Sequence, residues 1–248
     1  MTTTTTATHP PVRPPAPTAR LGEWGGVAWA LGLIGAWVGL LAWLLFGYAA
    51  SLASPLTWLL VLPMTHFYTG LFITAHDAMH GTLAPGRPRL NRALGTVAAL
   101  LFAYNWYPRL LPRHLAHHRH VADPARDPDF HDGRHMAFVP WLARFAWQYV
   151  TGWQVLAMAV TYNLLKLVAS MPNILLYWIA PSVLATVQLF VFGTWLPHRG
   201  EHGPDNPHHA RSQPRRHWWA FVSCYFFGYH YEHHEYPAVP WWRLWRTR

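Results

Sequence analysis

From Trp24 to His76 the chain contains no Asp, Glu, Lys or Arg, a run of 53 residues without a full charge. A helix needs about 20 apolar residues to cross the hydrocarbon of a bilayer. Backbone in lipid must satisfy its own hydrogen bonds, so the run predicts two spanning helices, near 24–47 and 54–76, turning around Ser51 to Pro55. Pro63 falls inside the second, where membrane helices tolerate it better than soluble ones do. Two further uncharged runs, 21 residues over 145–165 and 32 over 167–198, predict a second pair turning near Met171-Pro172. The stretches 93–108 and 218–229 are too short to cross and are expected as interfacial or half-entering helices. The expected fold is all-α and integral to the membrane, with four transmembrane helices in two hairpins plus short interfacial or re-entrant helices. A charged fraction of 12%, roughly half the usual share, agrees. The mean hydropathy of +0.05 stays modest because long polar stretches dilute the apolar ones. Residues 1–22, with a threonine run and five prolines over 10–17, are expected to be a disordered low-complexity tail before a catalytic domain over 23–248.

The polar counterpart of these runs is histidine. Three clusters have helix-compatible spacing: His76 and His80; His114, His117 and His118; His230, His233 and His234. Residues three and four apart share a helix face, so each cluster is expected to aim its imidazoles at one point. Eight convergent nitrogens exceed what one first-row ion takes and predict a dinuclear centre. His198, ending the last long span, is expected as a ninth ligand. A carboxylate-poor, imidazole-rich set suits iron, zinc or copper over magnesium or calcium, and ligand type alone leaves iron and zinc open. Cys224 is the only cysteine, which excludes intrachain disulfides and thiolate-rich sites. Ligating histidines usually give their other N–H to a carboxylate or carbonyl. Asp77 and Asp129 are the preferred partners here, ahead of Asp132, Glu232 and Glu235. His120 breaks the helical spacing of its cluster. His131, His135, His202, His208, His209 and His217 read as loop or solvent residues, and His66, deep in a span, as bonded to a neighbouring helix.

Orientation follows from the basic residues. Two arginines lie in the tail, nine between residues 77 and 144 and seven between 199 and 248, against Lys166 alone in the opposite turns. Tail, histidine clusters and C-terminal segment are therefore expected on the cytoplasmic side of the inner membrane. The net charge of +9 fits this placement, and the spans disfavour a nucleic-acid binder. Sixteen tryptophans suit the headgroup belt.

HxxxH, HxxHH and HxxHH on such a framework resemble the integral-membrane fatty-acid desaturase and hydroxylase superfamily. The longer words Phe72-Ile-Thr-Ala-His-Asp-Ala-Met-His-Gly81, Asp127-Pro-Asp-Phe-His131, Phe192-Gly-Thr-Trp-Leu-Pro-His-Arg199 and Phe227-Gly-Tyr-His-Tyr-Glu-His-His-Glu-Tyr-Pro237 are similar to those of bacterial and cyanobacterial β-carotene ketolases. The resemblance implies two iron ions, O2 as co-substrate and an external, ferredoxin-like electron donor. It implies oxidation of the C4 methylene of β-ionone rings to a ketone, taking β-carotene to echinenone and canthaxanthin, by two hydroxylations and dehydration. Whether 3-hydroxylated rings also react (zeaxanthin to astaxanthin) is left open, as is oligomeric state. It also implies that His198, 32 residues before His230, is a ligand. Phe226 stands where related ketolases often carry histidine, so that position is not counted as one.

A carotenoid rod about as long as the hydrocarbon is thick, roughly 30 Å, would reach such a centre from the lipid phase with one ring at the interface. Phe72, Phe130, Tyr229 and Tyr231 are candidates to line its pocket. The alternatives are a carotenoid ring hydroxylase, a membrane acyl-lipid desaturase and, from another class, a histidine-rich metal transporter. A transporter would place ligands near mid-membrane or on both faces, whereas these clusters share one face.

Overall fold

Long uncharged runs in a membrane favour helix, which satisfies its own backbone, and the computed structural model, which describes residues 24–248, has no strand among them. The tail expected over 1–22 lies outside the described residues. Three helical runs are long and apolar enough to cross a bilayer, Gly25–Gly47, Pro55–Met79 and Met171–His198, which makes this a membrane protein. The first is α1 (Gly25–Ala42) with a π-helical extension over Trp43–Gly47. The second is α2 (Pro55–Leu59) and α3 (Val61–Met79), interrupted at Leu60. Pro63 has no N–H to return to the carbonyl one turn earlier, which is why the interruption falls there.

Two amphipathic helices follow, α4 (Pro88–Leu101) and α5 (Tyr107–Arg119). The helix expected through 93–108 stops at Leu101, because Ala103 and Tyr104 turn left-handed (φ 51° and 57°) and reverse the chain. Between them Phe102 packs edge-on against Tyr68 and Phe72.

The expected helix over 145–165 is also divided. Here α6 (Phe138–Tyr149) ends, Val150 and Thr151 run extended, and α7 (Gly152–Leu165) begins. The cause is a capping box. The Thr151 hydroxyl accepts from Gln154 N at 3.2 Å, while Gln154 Oε1 accepts from Thr151 N at 2.8 Å. The 14 residues of α7 rise about 21 Å, short of a full crossing.

The last long run is α8 (Met171–Ile174), a π-helical turn over Leu175–Ile179, α9 (Ala180–Phe190), a second over Val191–Trp195, and α10 (Leu196–His198). Short helices α11 (His217–Cys224), α12 (His230–Glu235) and α13 (Trp241–Leu244) close the fold.

Helix α3 is the axis, packed by α1, α4 and α9. Met64, Tyr68, Leu71, Ile73 and Ala75 on it are almost fully buried. Apolar side chains on the outer helices, such as Leu31, Val38 and Leu164, stay exposed, as lipid-facing residues do. Two contacts fix the ends of the bundle. Far from the histidines, the buried Asn173 amide donates to Leu44 O and Tyr48 O, carbonyls at the π-helical end of the first run. At the histidine end, a Cβ on Gly95 would meet Ala78 Cβ at 2.5 Å and the Tyr107 ring at 2.7 Å. Only glycine lets α4 and α5 come this close to α3, and that approach brings His80 beside His114.

Candidate metal centre

All nine histidines named from sequence come together. The end of α3 supplies His76 and, as its cap, His80; α5 supplies His114, His117 and His118; α10 ends on His198; α12 supplies His230, His233 and His234. They form two groups, His76, His80, His114, His118 and His233 in one, His117, His198, His230 and His234 in the other. Each residue offers a ring nitrogen within 4.8 Å of the others in its group.

This corrects one expectation. Each HxxHH cluster does not aim at one point but divides between both groups. Successive helical residues are about 100° apart. Residues i and i+4 therefore stay within about 40° and share a group, while the i+3 residue lies about 60° to the other side. His114 pairs with His118 and His230 with His234, whereas His117 and His233 each cross to the opposite group.

Imidazole nitrogens face each other at hydrogen-bond distance. His80 Nε2 lies 2.7 Å from His114 Nε2 and His118 Nε2 3.1 Å from His233 Nε2 in the first group. In the second, His234 Nε2 lies 3.2 Å from His117 Nε2 and 3.0 Å from His230 Nε2. His76 Nε2 and His198 Nε2 are buried without any partner. Buried polar atoms without partners are uncommon. So many convergent basic nitrogens fit metal ions as the missing partners. Burial and like neighbours disfavour protonation, as a ligand set requires. Burial pushes His80 down to about 4. Burial, then the His80 and His117 rings, push His118 down to about 2. His114, His230, His233 and His234 lie well below the ordinary value for the same reasons.

His117 is the exception. Burial opposes its charged form, but the carboxylates of Asp127 and, less, Asp129 together outweigh that and raise it. Its Nδ1 lies 3.0 Å from both Asp127 oxygens, which holds the N–H there and leaves Nε2 toward the group. Sequence reasoning missed Asp127. Asp129, preferred from sequence, lies 4.0 Å from the same Nδ1 and accepts instead from the Tyr149 hydroxyl. Burial pushes Asp129 up to about 6. The available signal was the Asp-Pro-Asp word, whose first carboxylate caps the loop by accepting from Ala122 N and Asp129 N. His198 Nδ1 donates to His209 O at 2.8 Å, a backbone role no side-chain pattern announces. Asp77 lies 3.5 Å from His76 Nδ1 and also accepts from Trp241 N, tying the C-terminal segment to α3.

The other carboxylates serve elsewhere: Asp132 bonds His135, Glu235 bonds His208, and Glu232 bonds Ser212 and Arg248. His120 and His131 belong to neither group. His66 stacks on Tyr225 with ring centroids 4.2 Å apart.

A cavity with about 980 Å³ of empty space, part of it open, reaches both groups through His76, His114, His117 and His230. Its other walls are largely apolar, with Phe72, Phe102, Leu189 and Phe227 among them. Of the four aromatics proposed from sequence, only Phe72 lines it. Phe130 packs on Trp141, the Tyr229 hydroxyl bonds His217, and Tyr231 lies against His208. Alternation along α12 turns Tyr231 away from the face that carries the histidines.

Comparison with known proteins gives one family. Residues 53–166 and 134–248 match the family model described as fatty acid desaturase. A β-carotene ketolase of Paracoccus sp. is 44% identical over 223 residues, 88% of this chain and 89% of that protein. One from Haematococcus lacustris is 35% identical over 263 positions, 94% of this chain and 80% of the relative. A zeaxanthin 4-ketolase of Chlamydomonas reinhardtii is 43% identical over 185 residues, 73% of this chain and 41% of that longer protein.

Proposed function

The chain belongs to the fatty acid desaturase family, and from that premise, with ketolase relatives along most of its length, we propose that it is a carotenoid ketolase. It oxidises the C4 methylene of β-ionone rings to a ketone. The observation that carries this reading is the cavity: apolar on most sides, it ends on histidines of both groups.

The nine histidines would hold two iron ions, five imidazoles on one and four on the other. Bound there, iron supplies the reduction of O2 and the oxidation of an unactivated or allylic C–H bond. Asp127 holds the proton at His117 Nδ1, and His209 O holds the one at His198 Nδ1, so that each presents Nε2 inward. Phe72, Phe102 and Leu189 pack a hydrocarbon ring and keep water from it. Each hydroxylation at C4 takes one O2, two electrons and two protons and releases one water. The second leaves a geminal diol that loses water to the ketone. The electrons come from an external ferredoxin-like donor, and the carotenoid enters from lipid.

The histidine end faces the cytoplasm in this proposal, because sixteen of the seventeen basic residues among the described residues, all but Lys166, lie on that side. A fourth crossing is supported by connectivity. Asn173 bonds the far end of the first run, while Gln154 bonds Asn105 beside the cavity, which supports α7 as the segment that carries the chain between the two ends, short as it is. Reporters fused after residue 52 and at the C-terminus test this, opposite locations being expected.

Cells that accumulate β-carotene are expected to redden on expressing this chain. Their new pigments would be heavier by one oxygen less two hydrogens per ring. Unchanged pigment from membrane-inserted, iron-loaded protein overturns the ketolase reading, and pigments heavier by one oxygen alone would point to a ring hydroxylase.

A further inference from the structure

Two adjacent phenylalanines precede the third histidine cluster and do opposite things. Tyr225 and Phe226 are both left-handed (φ 49° and 62°), a conformation rare for bulky residues. The turn they make leaves Phe226 against Phe221 and Trp241 and sends Phe227 inward. The Phe227 ring lies 4.8 Å from that of His76 and 5.6 Å from His233, in the five-histidine group, and 5.1 Å from His230, in the other. It also forms part of the cavity wall.

What admits the ring there is Gly193. A Cβ at that position would lie 2.1 Å from Phe227 Cε1. Glycine weakens a helix interior, and here it falls in the π-helical turn Val191–Trp195, an irregularity that often marks functional sites. Both departures from regular helix make the same room. Resting on the ketolase reading, we infer that Phe227, seated on Gly193, is the positioning residue that keeps C4 of the substrate ring in register through both oxidations.

The chemistry makes register matter. After the first oxidation the ring carries a C4 hydroxyl, and the same carbon must be presented again before the ring leaves. A rigid aromatic wall touching histidines of both groups limits rolling and sliding of the ring. A shift by one carbon–carbon bond would present C3, and early departure would release the 4-hydroxy product.

The test compares wild type with Phe227→Ala, Phe227→Leu and Gly193→Ala in membranes, measuring iron content and the ratio of 4-hydroxy to 4-keto product. Binding of β-carotene to metal-free protein in nanodiscs, followed by its absorption shift, is the second measurement. Phe227→Ala and Gly193→Ala are expected to keep wild-type iron and raise the hydroxy-to-keto ratio at least about fivefold, with β-carotene binding weakened by up to about tenfold in Phe227→Ala. Phe227→Leu is expected to recover most of the ratio. A wild-type ratio at reduced rate overturns the inference, as does loss of iron with carotenoid binding unchanged. If iron-loaded wild type makes no ketone, the ketolase reading falls and takes this inference with it.

Discussion

The two histidine groups reach the same end by different means. The five-histidine group is partly open: His80, His114 and His118 are only half-buried, and among its members His76 alone has a carboxylate close by. The four-histidine group is buried throughout, and two of its outer nitrogens, those of His117 and His198, are held by Asp127 and by His209 O. One group relies on number of imidazoles, the other on burial and outer hydrogen bonds. Ligand count and outer contacts are two ways to fix a metal, and they predict different failures.

The largest effect expected from that difference is in ligand deletion. His234→Ala leaves three imidazoles and is expected to abolish activity and remove one iron per chain, as is His117→Ala. His80→Ala leaves four and should retain both irons with activity lowered but not abolished. Metal analysis of the purified variants decides, and equal losses would mean that the fifth imidazole is not spare.

Next comes the outer contact. Asp127→Asn is expected to lower activity or metal affinity about 10–100-fold, with Asp129→Asn clearly milder. The reverse order, read from iron titrations, would reassign the partner of His117.

Acid should separate the groups as well. Asp127 raises His117, whereas His80 and His118 are pushed down to about 4 and about 2. Protons therefore compete first at His117, and iron should leave the four-histidine group first as pH falls through the ordinary histidine value of 6.5. In metal-free protein the signs oppose. Below 6.5 the unfolded chain takes protons that folded His80 and His118 refuse, so their share of stability is lost as pH falls toward about 4 for His80 and about 2 for His118. The His117–Asp127 pair contributes below 6.5 and fades as pH rises through its raised value. Iron content and melting temperature against pH check both.

The smallest effect is expected at His208, whose ring centroid lies 5.8 Å from that of His234 but whose Nε2 bonds Glu235. His208→Ala should keep both irons and change activity less than about twofold, since part-exposed ion pairs contribute little. A lost iron there would extend the four-histidine group.

The sequence by itself determined which stretches become helix in lipid, because a long unbroken apolar run satisfies its backbone most simply within itself. It determined the i, i+4 histidine pairs too, since that spacing holds them within one face on any helix. It even carried, in Thr151-x-x-Gln154, the break that divides the third uncharged run, a local signal outweighed in the expectation by the length of the run. Tertiary structure alone decided that His117 and His233 cross to the other group, that Asp127 and not Asp129 bonds His117, and that Phe227 and not Tyr229 lines the cavity. Spacing along a helix fixes the angle between side chains. What each side chain then meets depends on how neighbouring helices pack, and here that depends on close approaches at Gly95 and Gly193.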